Sequence, residues 1–308
     1  MSEFSTHLRK DAKLLTTDSL FVVLLVLLAI ISFIIALTTS TSYVWSQTRG
    51  SSVITQAIME ENQKTALISY WISIGTILMA LFSAVAAMAM SVEKDSGMSK
   101  YILTFKVRKP LFYLSKLLVL TVLVLAAMGI SLAAYLIVFS FMDVPMLDIG
   151  SLAASMLFPM LGMLVFASLG LALSTLTSKK GAVIALAVVL FLAMTSISSV
   201  SMSLGVNAAL DVNPEAGPNN YTAYMPWGYK LLIYGNPVIL AQGTSYALGV
   251  DTGSSYSLIL FDTAGGVALG LGFFVAFVVL GMLSFSRERT ERGLIYSMRD
   301  RFSRLKRT

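Results

Sequence analysis

Few residues in this chain are of the kinds that carry covalent chemistry. It has no cysteine and a single histidine, His7. Disulfides, thiolate metal sites and a cysteine nucleophile are thereby excluded. One histidine builds neither a His-rich metal site nor a haem bis-ligand pair, and His7 reads as an exposed polar residue. The chain holds no G-x-x-x-x-G-K-[ST], no G-x-S-x-G and no H-E-x-x-H. Catalytic, cofactor-binding and metal-ligating residues are all expected to be none. The charged side chains offer electrostatic docking instead. They gather in residues 91–116, SVEKDSGMSKYILTFKVRKPLFYLSK, a polar, basic insertion between two long apolar segments. This stretch reads as the place where an outside source of work acts on the chain.

The elements that must position this insertion are set by composition. The 308 residues are 56% hydrophobic and 12% charged, with a mean hydropathy of +0.81. A soluble domain carries about 25% charged residues. The apolar residues fall in runs of about 20 or more, the length that crosses a bilayer as a helix. Helices satisfy their own backbone hydrogen bonds in lipid, so a bundle of spans is expected. The short alternating segments of a transmembrane barrel are missing.

Six spans are expected, at about 20–37, 66–92, 111–142, 152–176, 182–204 and 258–285. Residues 1–19 are too polar for a cleavable signal, and Phe4, Leu8, Ala12 and Leu15 recur at helical spacing. That suits an amphipathic helix on the membrane surface. The domain expectation is a single transmembrane unit over 1–308. It comprises the lead 1–19, a bundle over 20–285 with an outer segment 205–257, and a basic tail 286–308. With six spans and both termini in the cytoplasm, 19 of the 22 lysines and arginines fall on the inner side. The basic tail then reads as a helix hugging anionic lipid, and nucleic acid is not an expected partner.

The outer segment holds an apolar stretch, 231–248, broken at Gly235-Asn236-Pro237. It reads as a re-entrant or interfacial element built on Asn236 and Pro237 rather than a seventh span. Asn220-Tyr221-Thr222 is a glycosylation sequon on the same side. The spans carry almost no charge, Asp262 apart, which argues against an ion-coupled carrier. Small residues within the spans, among them Ser83, Ser168, Ser174 and Gly266-x-x-x-Gly270, allow close helix approach.

The 91–116 stretch resembles the loop between the second and third helices of ABC transporter permease subunits, the ABC type-2 membrane family. Glu93 and Gly97 match its acidic-glycine start, Leu103 a leucine position, and Lys116 the lysine that closes it. Lys109 stands where the family has an arginine. Lys106 stands where the family has its proline, and Pro110 follows four residues later. The lead HLRKDAKLLTTDSLFVVLLVLL is similar to the family's N-terminal connecting helix, and Asn236-Pro237-Val238 to its outer NP element.

The resemblance implies an all-α membrane protein of the type V ABC exporter kind. It has six transmembrane helices, both termini inside, an amphipathic N-terminal helix and a cytoplasmic coupling helix between spans 2 and 3. It implies an exporter permease in the plasma membrane, without ATPase motifs or cofactor of its own. Its partners would be two ABC ATPase subunits, which use the ATP, a second permease copy or homologous permease, and the lipid bilayer. Glu93, Lys94, Asp95, Gly97, Lys106, Arg108 and Lys109 would couple to the ATPases. An ATPase-independent membrane scaffold or assembly factor, and a secondary carrier, are the competing readings. The cargo is not legible.

Overall fold

A computed structural model describes residues 8–13, 19–49, 56–95, 109–177, 179–215, 221–249 and 263–287. Among them every regular element is helical. In chain order these are α1 (Ser19–Arg49), α2 (Gln56–Asp95), α3 (Lys109–Phe141), α4 (Ile149–Leu173) and α5 (Lys180–Val212). The short helices α6 (Tyr221–Tyr224) and α7 (Trp227–Tyr234) follow, then a 3-10 turn (Pro237–Gln242), α8 (Thr244–Leu248) and α9 (Thr263–Arg287). Residues 8–13 form a further helical segment ahead of α1. Six of the described helices, α1 to α5 and α9, are long and apolar enough to cross a membrane.

The first two spans are longer than their apolar runs. The sequence reads 38–65 as a polar link, but α1 runs on to Arg49 and α2 begins at Gln56. Side chains explain the difference. Thr38, Thr39, Ser40, Thr41 and Ser42 each donate to a carbonyl three or four residues back in α1. A hydroxyl satisfied within its own helix does not end that helix. The 40 residues of α2 make it about 60 Å long, twice the hydrocarbon thickness of a bilayer.

Contacts fix the direction of each helix. Trp71 of α2 donates to Ser155 of α4 (2.9 Å) and Lys94 of α2 reaches Ser174 at the end of α4, so α2 and α4 run parallel. In α1 and α3 the pairs Ser32–Ser131 (3.1 Å) and Tyr43–Phe139 rise together, so these also run parallel. Tyr70 of α2 donates to the carbonyl of Ser131 (2.6 Å), while Glu93, far along α2, meets Lys116 near the start of α3. Helices α2 and α3 are therefore antiparallel. Helix α9 runs with α4, since Gly266 faces Phe158 and Ser284 accepts from Thr175. One end of the bundle thus gathers the C-terminal ends of α2, α4 and α9 with the N-terminal end of α3.

The core lies along α2, where Leu67, Tyr70, Trp71, Ile74, Leu78 and Met79 are buried. Its tightest seam is with α4. A Cβ on Gly170 would lie 2.1 Å from the backbone oxygen of Ser83, so that seam admits glycine alone. The opposite faces of α1, α5 and α9 expose valine, leucine and isoleucine, as lipid-facing surfaces do.

Between α5 and α9 the chain folds into short pieces. Helix α7 ends at Tyr234, and Asn236 caps the 3-10 turn by accepting from Val238 N (3.1 Å). The same Asn236 donates from Nδ2 to the carbonyl of Met194 within α5. Pro237 through Ala241 are buried.

Candidate functional site: a charge cluster where three elements meet

At the end of the bundle where α2 finishes and α3 begins, four ionic side chains form one cluster. Lys116 Nζ is 3.2 Å from Asp11 Oδ1 and 3.1 Å from Glu93 Oε2. Glu93 Oε1 accepts from Lys10 Nζ at 2.9 Å. Ser115 completes the set by donating to Asp11 Oδ2 at 2.7 Å. Two acids and two bases balance, and each carboxylate is engaged by at least one lysine. The side chains of Asp11, Glu93 and Lys116 are 2%, 5% and 4% exposed, whereas Lys10 is 30% exposed. Charges withdrawn from water this far persist because they are paired.

The cluster ties three segments distant in sequence: residues 8–13, the last turn of α2 and the first turns of α3. Helical geometry brings its members together. Asp11 follows Leu8 by three residues in the helical segment 8–13, so it shares its face. Leu8 and Ala12 pack against the core, which carries Asp11 inward. The segment expected on the membrane surface is therefore docked on the bundle through this face. Lys116 lies four residues after Phe112 on the buried face of α3. Its ammonium also lies 4.8 Å from the centre of the Phe112 ring, and that of Lys10 lies 5.6 Å from it. Such cation–ring contacts add to the ionic ones.

Two more lysines close helix ends beside the cluster. Lys94 Nζ donates to the carbonyls of Ser174 (3.2 Å) and Thr175 (3.3 Å), just past the end of α4. Lys109 Nζ reaches the carbonyl of Ser286 (3.4 Å) near the end of α9, and stands 5.9 Å from the ring of Phe285. Phe285 in turn stacks on Phe112 with centroids 5.9 Å apart. A lysine at a helix C-terminus satisfies orphan carbonyls and the negative end of the helix dipole together. The ends of α2, α3, α4 and α9 are thus bolted together by cations at one level. Among the described residues no group of histidine, cysteine and carboxylate side chains is arranged to hold a metal ion.

A family model described as ABC-2 family transporter protein matches residues 46–280. This chain belongs to the ABC-2 transporter family. A search of curated proteins gave no match. The family match opens near the end of α1 and closes within α9, so it contains Glu93 and Lys116 but not Lys10 or Asp11. With six helices able to span a bilayer, this ABC-2 family chain is a multi-pass membrane protein.

Of the residues expected to couple to an ATPase, Glu93, Lys94 and Asp95 occupy the last turn of α2, and Lys109 opens α3. Glu93 and Lys94 are buried, and Asp95 is exposed. Gly97, Lys106 and Arg108 lie outside the described residues, as does the coupling helix expected between spans 2 and 3. The sequon residue Asn220, Asp262 and the tail beyond 287 lie outside them too. Sequence reasoning missed Lys10, Asp11 and Ser115 as parts of a site, and took Lys116 as a family marker alone. A signal was present. Asp11 and Lys116 each stand on an apolar helix face, where a charge demands a partner.

Proposed function

We propose that this chain is the permease subunit of an ATP-driven exporter, coupled at residues 91–116 to two separate ATPase subunits. It pairs with a second permease, identical or homologous, in the plasma membrane with both ends of the chain in the cytoplasm. ATP is used by the ATPases, and the chain itself needs no cofactor. The observation that carries this reading is the Lys10–Glu93–Lys116–Asp11 cluster. It welds the segment ahead of span 1 to the two helices that flank loop 96–108. A push delivered to that loop then moves the leading segment, α2 and α3 as one body. Helix α2 packs on α4 from Trp71–Ser155 to Lys94–Ser174, so the displacement reaches the opposite end of the bundle. Asn236 and Pro237, seated against α5, are the outer re-entrant element in this reading.

The test is capture of ATPase subunits on the tagged chain in mild detergent, with ATP hydrolysis measured on the eluate. Wild type is compared with Arg108→Glu/Lys109→Glu. An ATPase held by wild type and lost on charge reversal is the expected result. Failure to recover an ATPase in any mild detergent would favour a scaffold. Transport by the purified chain without ATP would favour a secondary carrier. Because the chain lacks cysteine, Asp95→Cys supplies a single thiol for topology. An impermeant thiol reagent should label it from the cytoplasmic face alone.

A further inference from the structure

The three most exposed large apolar side chains among the described residues are Ile149 (86%), Phe141 (83%) and Trp227 (73%). They come from three elements: the start of α4, the end of α3 and the start of α7. All three lie at the end of the bundle away from the charge cluster.

Pairings between helices set their levels. Trp71 meets Ser155 at 2.9 Å, and Ile149 precedes Ser155 on α4 by six positions, about 9 Å further out. Tyr70 meets the carbonyl of Ser131, and Phe141 follows Ser131 on α3 by ten positions, about 15 Å further out. Helix α5 turns back beside α4, with the rings of Phe166 and Phe191 in edge contact at 5.2 Å. From that contact Ile149 is about 26 Å away along α4, and Gly205 about 21 Å away along α5. A Cβ on Gly205 would lie 2.9 Å from Met225 and 3.2 Å from Tyr229, the residues flanking Trp227 on α7. Phe141 and Trp227 therefore stand within about 6 Å of the level of Ile149.

That level is where a bilayer ends. In the other direction Glu93 follows Trp71 by 22 positions, so the charge cluster lies about 42 Å from Ile149. A bilayer with its headgroups is about 40–45 Å thick. The sequence marks the same limit. No charged residue occurs over 117–142, 149–178 or 181–210, and Asp143, Asp148 and Asp211 stand at the margin.

One environment suits these neighbours. Phe141 and Ile149, exposed this far, are unfavourable in water. Asp143 and Asp148, exposed beside them, are unfavourable in hydrocarbon. Trp227 joins an apolar ring to a polar N–H, the combination found at membrane–water boundaries. We propose that Phe141, Ile149 and Trp227 seat in the headgroup zone of the leaflet opposite the charge cluster and set the depth at which the chain sits. The start of α2 then rises out of the lipid. Ile58 precedes Trp71 by thirteen positions and stands about 10 Å beyond Ile149, although its hydropathy makes it part of span 2. Lipid is the only partner required, so the inference holds or fails apart from ATPase coupling and from which face is cytoplasmic.

The test uses the full chain, which lacks cysteine, with one thiol at a time carrying a nitroxide, in vesicles of phosphatidylcholine. Power saturation is measured with oxygen, which concentrates in hydrocarbon, and with a nickel chelate, which stays in water. Phe141→Cys, Ile149→Cys and Trp227→Cys report the proposed zone. Val122→Cys and Val275→Cys report exposed positions about 22 and 26 Å deeper, placed through Ser131 and through the Gly270–Leu161 contact. Ile58→Cys reports the start of α2. Access to nickel should be lost at Val122 and Val275, full at Ile58, and partial and alike at the three zone positions. An unchanged melting temperature reports that each labelled chain is folded. Nickel access lost at a zone position, access there as full as at Ile58, or shielding from both reagents, as a covering second copy would give, would each overturn the proposal. Loss of nickel access at Ile58 would overturn the depth it assigns.

Discussion

Lys116 Nζ stands 3.2 Å from Asp11 Oδ1 across 105 positions of sequence, and both side chains are sealed from solvent. The pair holds the segment ahead of span 1 against the start of span 3. Removing one partner leaves the other charge buried and unanswered. Lys116→Met should therefore cost about 3–5 kcal/mol of stability. Adding Asp11→Asn to Lys116→Met should restore part of that loss, giving a coupling of about 0.5–3 kcal/mol. Unfolding of the four proteins of this cycle in one detergent measures it. Additive losses would mean that the two residues act independently.

Gly170 provides a test of the α2–α4 seam. A methyl group there would stand 2.1 Å from the Ser83 backbone oxygen, and backbone yields less readily than a flexible side chain. Gly170→Ala should destabilise by about 1–3 kcal/mol, the usual cost of overpacking. Gly129 in α3 has nothing within 4 Å of the same position. Gly129→Ala should instead stabilise by about 0.4–1 kcal/mol through helix propensity and unfolded-state entropy. A comparison of melting temperatures separates the two, and equal shifts would deny the close approach.

The long apolar runs made the six spans legible, because lipid imposes length and composition on a helix. The ends of the spans were less legible. Thr38 to Ser42 look like a link by polarity, yet they serve α1 by bonding to its own carbonyls. The cluster was half legible. Glu93 stood out because it is charged beside an apolar run, and Asp11 did not, because its partners Lys116 and Ser115 lie more than 100 residues away. Periodicity says which face is buried. It cannot say which distant helix arrives there.

Asp148 gives the expected pH dependence outside the spans. Its Oδ2 accepts from Ser151 N at 3.0 Å and caps α4. Hydrogen bonds from Ser151, side chain first and backbone second, hold its carboxyl below the ordinary value of 3.8. A depressed folded value means that the contribution is full above the unfolded value and fades as pH falls through the folded one. Asn also caps a helix but does not titrate. The melting temperature of wild type should exceed that of Asp148→Asn at neutral pH, and the gap should close below about pH 4. A gap independent of pH would show that the carboxylate charge contributes nothing at this exposed site.

Lys94 separates holding the bundle together from contacting an ATPase. It lies on the last turn of α2 just before residues 96–108, but the residue is 5% exposed and its ammonium donates to the Ser174 and Thr175 carbonyls. Lys94→Met removes those hydrogen bonds and uncovers the C-terminal carbonyls of α4, at a cost of about 1.5–3 kcal/mol. Because the side chain faces α4, the variant should still capture ATPase subunits. In reconstituted vesicles it should lose transport per ATP hydrolysed, since the end of α2 is no longer pinned to α4. Lys94→Arg retains a long cationic donor and should recover both stability and transport. Arg108→Glu, which keeps the Lys109–Ser286 contact, should show the opposite pattern, with capture lost and the folded bundle kept. If Lys94→Met abolished capture while leaving stability unchanged, the lysine would have to reach the partner directly, and its place against α4 would not be its functional one.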